Sequence, residues 1–349
     1  MRVRFIIPGA IDTPSGGYRY DRQIIEEMAL IGADVDLVSL PGSTYPFPDK
    51  AALSKIDDVI AAAKPADIAV VDGLAGGVLP GLLANLASTM PVVALIHHPL
   101  FLEAGLSKAQ IEAFRGSEAA GLSHVKAVIT TSPATTRTVQ EMFGFDPEHI
   151  HTVIPGVERG PKNKVQMGEE ARILSIGSIS ERKGHDVMID ALARIKDLRF
   201  RLDIAGASFG NDALLASLKQ RVIQAGLESR VTFHGAVTES ELDQLYASAD
   251  FFALASRYEG YGMVYAEAIV RGLPVIGTDG GAIPDTIPPD CGLIAKAGDS
   301  GTLSEHLRTM IENHDVRQAM RQAALAAEPA FPTWKSAGAL FLETLRSVA

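Results

Sequence analysis

Cysteine is almost missing from this chain. Cys291 is the only one in 349 residues, so no disulfide can form within the chain and no thiolate cluster can hold a metal, which fits a reducing compartment. Basic residues are in deficit, with Lys+Arg at 32 against Asp+Glu at 42 and a net charge of −10, which argues against nucleic acid as a partner while leaving room for a local basic patch. A long apolar run is also lacking. The most apolar stretch, Ala69–Ala87, is broken by Asp72, Pro80, Asn85 and four glycines, so it does not read as a membrane span. The opening MRVRFIIPGA is interrupted by Pro8–Gly9 too early for a signal peptide. The expected location is the cytoplasm, with peripheral contact at the inner face of a membrane left open.

Several reaction classes lack their motifs. There is no G-x-S-x-G, no His-Glu-x-x-His and no G-x-x-x-x-G-K-[ST]. Hydride transfer wants G-x-G-x-x-G after the first strand, and PGAIDTPSGG does not supply it. Asp34-Val35-Asp36 imitates an Asp-x-Asp metal motif but opens a strand instead of ending one, and reads as surface charge. No metal is expected.

What the chain does contain is alternation. Short β-branched runs at Val3–Ile7, Val35–Ser39, Asp67–Val71, Pro91–Ile96, Val125–Thr130 and His151–Ile154 are separated by helical stretches near 51–63, 77–88, 107–123 and 133–144. Between Pro155 and Ala171 the period is lost and Pro, Gly and charge accumulate, as in a linker. The alternation then restarts at Ile173–Ile176, Phe200–Ile204, Val231–Phe233, Phe251–Leu254, Pro274–Ile276 and Gly292–Ala295. Strands of this type, alternating with helices, predict an α/β fold of two parallel-sheet, Rossmann-like domains facing across a cleft. The expected boundaries are 1–160 and 171–332. Residues 333–349 form a helix whose apolar stripe (Trp334, Ala337, Phe341, Leu345, Val348) returns it to the first domain.

The chemistry gathers in RYEGYGMVYAE, Arg257 to Glu267. A strand ends, a turn with Gly260 and Gly262 follows, and an apolar helix begins at Met263. An uncapped helix start offers unpaired N–H groups and the positive dipole end to phosphate. Glu259 and Glu267 flank that point. Like charge bars them from binding phosphate, so they suit hydroxyls on either side of a diphosphate, unless both are merely solvated acids. Arg182 and Lys183, in SIGSISERKG, follow the strand that opens the second half; cations there could neutralise a diphosphate leaving group, or simply form a solvated pair. Gly280–Gly281 ends another strand and could lend amides to phosphate. His97–His98 close a buried-looking strand, and their side chains point to opposite faces, so at most one faces the cleft. Each fits a core histidine equally well. Gly16–Gly17 lies where backbone must approach a ligand closely, or is an ordinary turn.

Taken together, Glu259-x7-Glu267 within SRYEGYGMVYAEAIVRGLPVIGTDGGAIPD, SIGSISERKG, the Gly16–Gly17 loop and the strand-end His97 resemble the retaining nucleotide-sugar glycosyltransferases of family 4, with the GT-B fold. The likeness is dense in the second half and thinner in the first. It implies a metal-independent, retaining hexosyl transfer from a UDP- or GDP-sugar to a lipid-linked saccharide, glycolipid or other hydroxyl acceptor, as in polysaccharide or glycolipid synthesis. By the same resemblance Glu259 contacts the donor sugar and Glu267 the ribose. Lys183 and the turn amides at Gly262–Val264 take the diphosphate, with Gly260, Tyr261 and Met263 lining the donor. Gly16–Gly17 approaches the diphosphate from the other domain, and His97 lies near the transferred sugar. Closure of the domains is expected to accompany donor binding.

One position departs from the family pattern. Ser178 stands where an arginine is usual, and Arg182 is the residue placed to replace that charge. Donor base and sugar depend on loops near Gly206–Phe209 and His234–Val237. Tyr18 and His98 are the candidates to meet the acceptor, although a solvated helix also explains Tyr18. Two other readings fit the sequence: a sugar-nucleotide epimerase or hydrolase of the same architecture, and a non-catalytic nucleotide-binding regulator.

Overall fold

The computed structural model describes residues 1–42, 45–162, 168 and 170–349. The chain divides into two compact units, one made of Met1–Gly156 with Pro332–Ala349 and the other of Val157–Phe331. Each is a six-stranded, wholly parallel sheet with Rossmann-like connections.

In the first unit the strands are β1 (Arg2–Pro8), β2 (Asp34–Leu40), β3 (Ile68–Asp72), β4 (Val92–Ile96), β5 (Ala127–Thr130) and β6 (Ile150–Thr152), in the order β2-β1-β3-β4-β5-β6. β3, β4 and β5 are buried along their whole length, as strands covered on both faces must be. In the second unit β7 (Ala171–Ile176), β8 (Phe200–Ala205), β9 (Val231–Gly235), β10 (Phe251–Ala253), β11 (Val275–Thr278) and β12 (Gly292–Ala295) run in the order β12-β11-β10-β7-β8-β9.

Strand order decides where ligands can enter. In the first unit the connections reverse direction between β1 and β3, and in the second between β7 and β10. Loops leaving the carboxyl ends of such a pair run to opposite faces and leave a crevice between them. The conspicuous residues of the sequence lie on or just past these loops: Arg182–Lys183 and Glu259 after β7 and β10, and Gly16–Gly17 after β1, where they open the helix Gly16–Leu30 and do not form the loop that the sequence suggested.

The helix Trp334–Val348 packs on the helix Gly16–Leu30 of the first unit. Its stripe of Trp334, Phe341, Leu345 and Val348 is buried; the Phe341 ring lies 6.2 Å from Phe5, and Trp334 meets the edge of Tyr20 at 6.0 Å. Thr333 and Ser336 close its N-terminus as a capping box.

Two details differ from the sequence reading. The helical stretch near 51–63 is broken into Lys50–Leu53 and Ile56–Ala61, and the one near 77–88 is the helix Pro80–Ala87, preceded by an additional short helix, Gly73–Gly76. Pro80 has no N–H to continue a helix and instead begins one. Part of the expected linker is docked. Arg159 donates to the Glu328 carboxylate and to the Phe331 carbonyl at 3.1 Å, and the Lys162 ammonium reaches the Val270 carbonyl at 2.8 Å as well as Glu328. Residues 163–167 and 169 of that stretch lie outside the described residues.

Candidate active site

The second unit places Glu259 at the centre of an ion cluster. Lys183 Nζ donates to Glu259 Oε1 at 2.7 Å and Arg182 Nη1 to Oε2 at 3.0 Å, while Ser256 Oγ adds a hydrogen bond to Oε1 at 2.6 Å. Burial opposes a charge on this carboxyl, but Lys183 and then Arg182 outweigh it and hold the pKa at about 2. Two cations against one carboxylate leave a single positive charge in excess.

Local structure explains the convergence. After β7 the chain makes one 3-10 turn, Glu181–Lys183, and reverses at Gly184 into the helix His185–Ala193. The turn is tied to the loop after β10 by the Arg257 N–H on the Arg182 carbonyl (2.7 Å) and by the Arg257 guanidinium, which forks onto both oxygens of Asp186 at 3.0 and 2.7 Å. Glu259 is fixed from the other side, its N–H donating to the Gly280 carbonyl and its carbonyl accepting from Ala282. The Gly280 amide is itself turned onto Thr278 Oγ1 at 3.3 Å. The Gly280–Gly281 loop therefore braces Glu259, where the sequence suggested an amide donor to phosphate.

The helix Met263–Val270 begins at Gly262, in the left-handed region (φ 89°), and no side chain caps it. Gly260 and Tyr261 form the turn before it, with the Tyr261 carbonyl held by the Thr286 hydroxyl. Met263 and Val264 are the first two residues of the helix, and Glu267 lies one turn further along, buried, accepting from the Tyr246 hydroxyl at 3.1 Å. Arg271 stacks over the Tyr246 ring at 4.5 Å. Ser178 is half-buried, and its carbonyl accepts from His185 Nε2 at 3.2 Å. Burial pushes the His185 pKa down to about 4, so the ring is neutral at pH 7 and Nε2 carries its proton. Gly206 follows β8 with its backbone against the Gly177 carbonyl. Arg182, Lys183, Ser178, Glu259 and the helix start thus share the crevice between β7 and β10.

The first unit has its own cluster, only partly visible in the sequence. His97, just past β4, directs Nε2 at Asp21 Oδ1 (3.1 Å) and at Asp72 Oδ2 (3.2 Å). Asp72 ends β3 and Asp21 sits on the helix Gly16–Leu30, one turn beyond Gly17; both acids are buried. A Cβ on Gly17 would stand 3.3 Å from the His97 ring, so that glycine's bareness admits the imidazole. Burial works against a charge on His97, but the two carboxylates raise its pKa overall. The ligating atoms of the three lie within 4.8 Å of one another, the only such group among the described residues. With both carboxylates within hydrogen-bond distance of it, Nε2 carries a proton in this arrangement.

The candidates for the acceptor are already occupied. The Tyr18 hydroxyl donates to the Pro8 carbonyl, and His98 Nε2 meets Glu103 Oε2 at 3.0 Å. Gly16 is the exposed first residue of its helix, capped by Ser15.

Two Rossmann-like sheets, each with charged side chains at its topological switch point, define a GT-B architecture. Residues 158–326 match the family model described as "Glycosyl transferases group 1", and residues 2–156 match "Glycosyl transferase 4-like domain". The chain is 32% identical over 173 residues to mannosylfructose-phosphate synthase of Agrobacterium fabrum, covering 45% of this chain and 38% of that protein. It is 28% identical over 228 residues to D-inositol 3-phosphate glycosyltransferase of Jonesia denitrificans, covering 60% of this chain and 54% of the relative. Matches of this kind span about half the length of these curated relatives or less. Among solved structures, sucrose-phosphate synthase of Thermosynechococcus elongatus superposes with a TM-score of 0.84 at 19% identity over 99% of this chain and 98% of that one. The chain belongs to the GT-B glycosyltransferases of the family 4 type. No helix among the described residues is long and apolar enough to cross a membrane.

Proposed function

We propose that this protein transfers a hexosyl group from a UDP- or GDP-sugar to the hydroxyl of a saccharide, glycolipid or similar acceptor, with retention of configuration and without a metal. The observation that carries the reading is the convergence of Lys183 and Arg182 on Glu259 beside an uncapped helix start at the β7/β10 switch point.

A diphosphate placed there meets a net positive cluster and the amides of Met263 and Val264. Charge grows on its oxygens as the glycosidic bond breaks, and donors already in position stabilise that charge with little reorganisation. Lys183 and Arg182 then divide their hydrogen bonds between Glu259 and phosphate, and Arg182 takes the part that an arginine at position 178 would play. Glu259, kept ionised by the same cations, accepts from donor hydroxyls on its remaining lone pairs, while Glu267 and Tyr246 address the ribose. The departing phosphate oxygen takes the acceptor's proton on the face it leaves, so retention needs no carboxylate nucleophile. A glycosyl adduct on Glu259 in intact-mass spectra would contradict this.

The test is thermal melting with UDP, GDP, ADP and their sugar conjugates, with and without chelator. A ligand at a hundred times its dissociation constant adds about 2.7 kcal/mol, several degrees for units of this size. One nucleotide should raise the melting temperature whether or not chelator is present, and its sugar conjugate should then glycosylate a hydroxyl acceptor with the anomeric signal unchanged in NMR. Failure of every nucleotide at saturation would sink the reading, and release of free sugar with no acceptor product would favour the hydrolase.

A further inference from the structure

The arrangement around His97 is more than a core histidine needs. A buried imidazole is satisfied by one acceptor for its one N–H, yet here two buried carboxylates from two different elements converge on the same nitrogen. Asp72 is anchored by a bond from the Leu74 amide to its other oxygen at 2.8 Å. Asp21 is held by the rigid first turns of its helix. The neighbours able to alter this charge are few: Tyr20, whose ring edge meets His97 at 5.2 Å and whose hydroxyl is spent on the Val153 carbonyl, and Tyr18, whose hydroxyl is spent on Pro8. From the β5 side the hydroxyl of Thr131 bonds the His97 carbonyl and leaves the ring untouched. No cation among the described residues pairs with Asp21 or Asp72 apart from His97.

The geometry assigns Asp21 and Asp72 as positioning residues that hold His97 as an imidazolium, so that Nδ1, the edge they leave uncovered, is a hydrogen-bond donor to a neutral sugar hydroxyl. An unsupported histidine bound through Nε2–H would present a lone pair at Nδ1 near neutral pH; the second carboxylate changes the sign of that edge. No described residue takes up Nδ1, and His97 is one-fifth exposed. The ligand class follows from charge. Burial raises the Asp21 carboxyl to about 6, so above that pH one imidazolium and two carboxylates sum to −1, which repels a phosphate and tolerates a hydroxyl. The assignment of a sugar hydroxyl rests on the proposed function, whereas the protonation state does not.

The experiment is long-range 15N–1H spectroscopy of the histidine rings between pH 6 and 9 on the full chain, with His97→Gln to assign the signal. Both ring nitrogens of His97 should stay protonated through pH 8, and Asp72→Asn should lower the midpoint by at least about one unit, a tenfold loss of proton affinity. Asp21→Asn provides the same test if Asp72→Asn does not fold. Wild-type titration near pH 6.5, or a midpoint unmoved in both variants, would overturn the proposal. UDP-glucose or GDP-mannose, whichever shifts the melting temperature, should move the Nδ1–H signal. An equal movement with inorganic phosphate would overturn the neutral-hydroxyl class, and stoichiometric loss of the His97 signal on adding Zn2+ would replace the triad with a cation site. If no nucleotide sugar binds, the functional reading fails while the titration still decides the triad.

Discussion

Gly184 lies against Ala255 so closely that a Cβ on the glycine would overlap the Ala255 carbonyl oxygen. This contact joins the loop after β7 to the loop after β10, and so sets the spacing at which Lys183 and Arg182 reach Glu259. The glycine also has φ 64°, where a side chain is strained whatever the space. Gly184→Ala should therefore destabilise the second unit by roughly 3 kcal/mol, read in calorimetry, and abolish the nucleotide-dependent rise in melting temperature. A variant that still responds to nucleotide as the wild type does would show that the loops need not be in register.

Removing the carboxylate while keeping its shape separates two roles of Glu259. Glu259→Gln leaves Lys183 and Arg182 without their anion, a loss of roughly 2–3 kcal/mol after allowing for their partial exposure. The local charge rises from +1 to +2, so the unsubstituted nucleoside diphosphate should bind more tightly than in the wild type, by about tenfold, while turnover falls by at least a hundredfold. Calorimetric titration with UDP and GDP checks the first expectation, and a weaker affinity would show that Glu259 does not compete with phosphate for the cations.

Acid should unfold the second unit in two stages. His185 has a folded pKa of about 4, below its ordinary 6.5. The unfolded state therefore binds the extra proton as pH falls through 6.5, and stability is lost from there down to about 4, on the order of 3 kcal/mol in total. Glu259, at about 2 against an ordinary 4.5, contributes stability that is present above 4.5 and disappears as pH falls towards 2. His185→Gln should flatten the upper stage alone. Denaturant midpoints at pH 7, 5 and 4 are the measurement, and an unchanged slope in the variant would clear His185 of the effect.

Glu118 should act in the opposite direction. Its buried carboxyl accepts from the amides of Leu100 and Phe101, but burial dominates and raises its pKa to about 7. A raised carboxyl contributes stability that is full below 4.5 and is lost as pH rises through 7. Glu118→Gln should remove that dependence, visible as protection factors of the Leu100 and Phe101 amides, corrected for the intrinsic exchange rate at each pH, that fall from pH 6 to pH 8 in the wild type only.

The sequence showed its periodic features well and its convergent ones poorly. All twelve strands were placed within a residue or two, because short apolar, β-branched runs between helical stretches are local signals. The loop SIGSISERKG and the acidic pair flanking Gly262 were likewise legible, since a strand end followed by glycine and a helix start can be read in order. Asp21 and Asp72 were not singled out. Asp21 lies 76 positions before His97 and Asp72 lies 25 before it, and only the strand order β1-β3-β4 brings the three together, which no spacing rule encodes. Tyr246 escaped for the same reason: its hydroxyl reaches Glu267 from a neighbouring helix. Arg182 and Lys183 read as a free cationic rim, because the sequence shows charge but not that the nearest anion is Glu259, more than seventy residues on.

The chain enters and leaves the second unit at adjacent points, with Arg159 bonded to the Phe331 carbonyl, and returns to complete the first unit with the helix Trp334–Val348. This inverts the usual order of events during synthesis, in which amino-terminal domains finish folding first. The first sheet emerges early but must wait, its face beside Phe5 and Tyr20 uncovered, until Pro332–Ala349 has been made, whereas Val157–Phe331 can fold as it appears. Covering of that apolar surface therefore depends on the last eighteen residues of this chain, Pro332–Ala349.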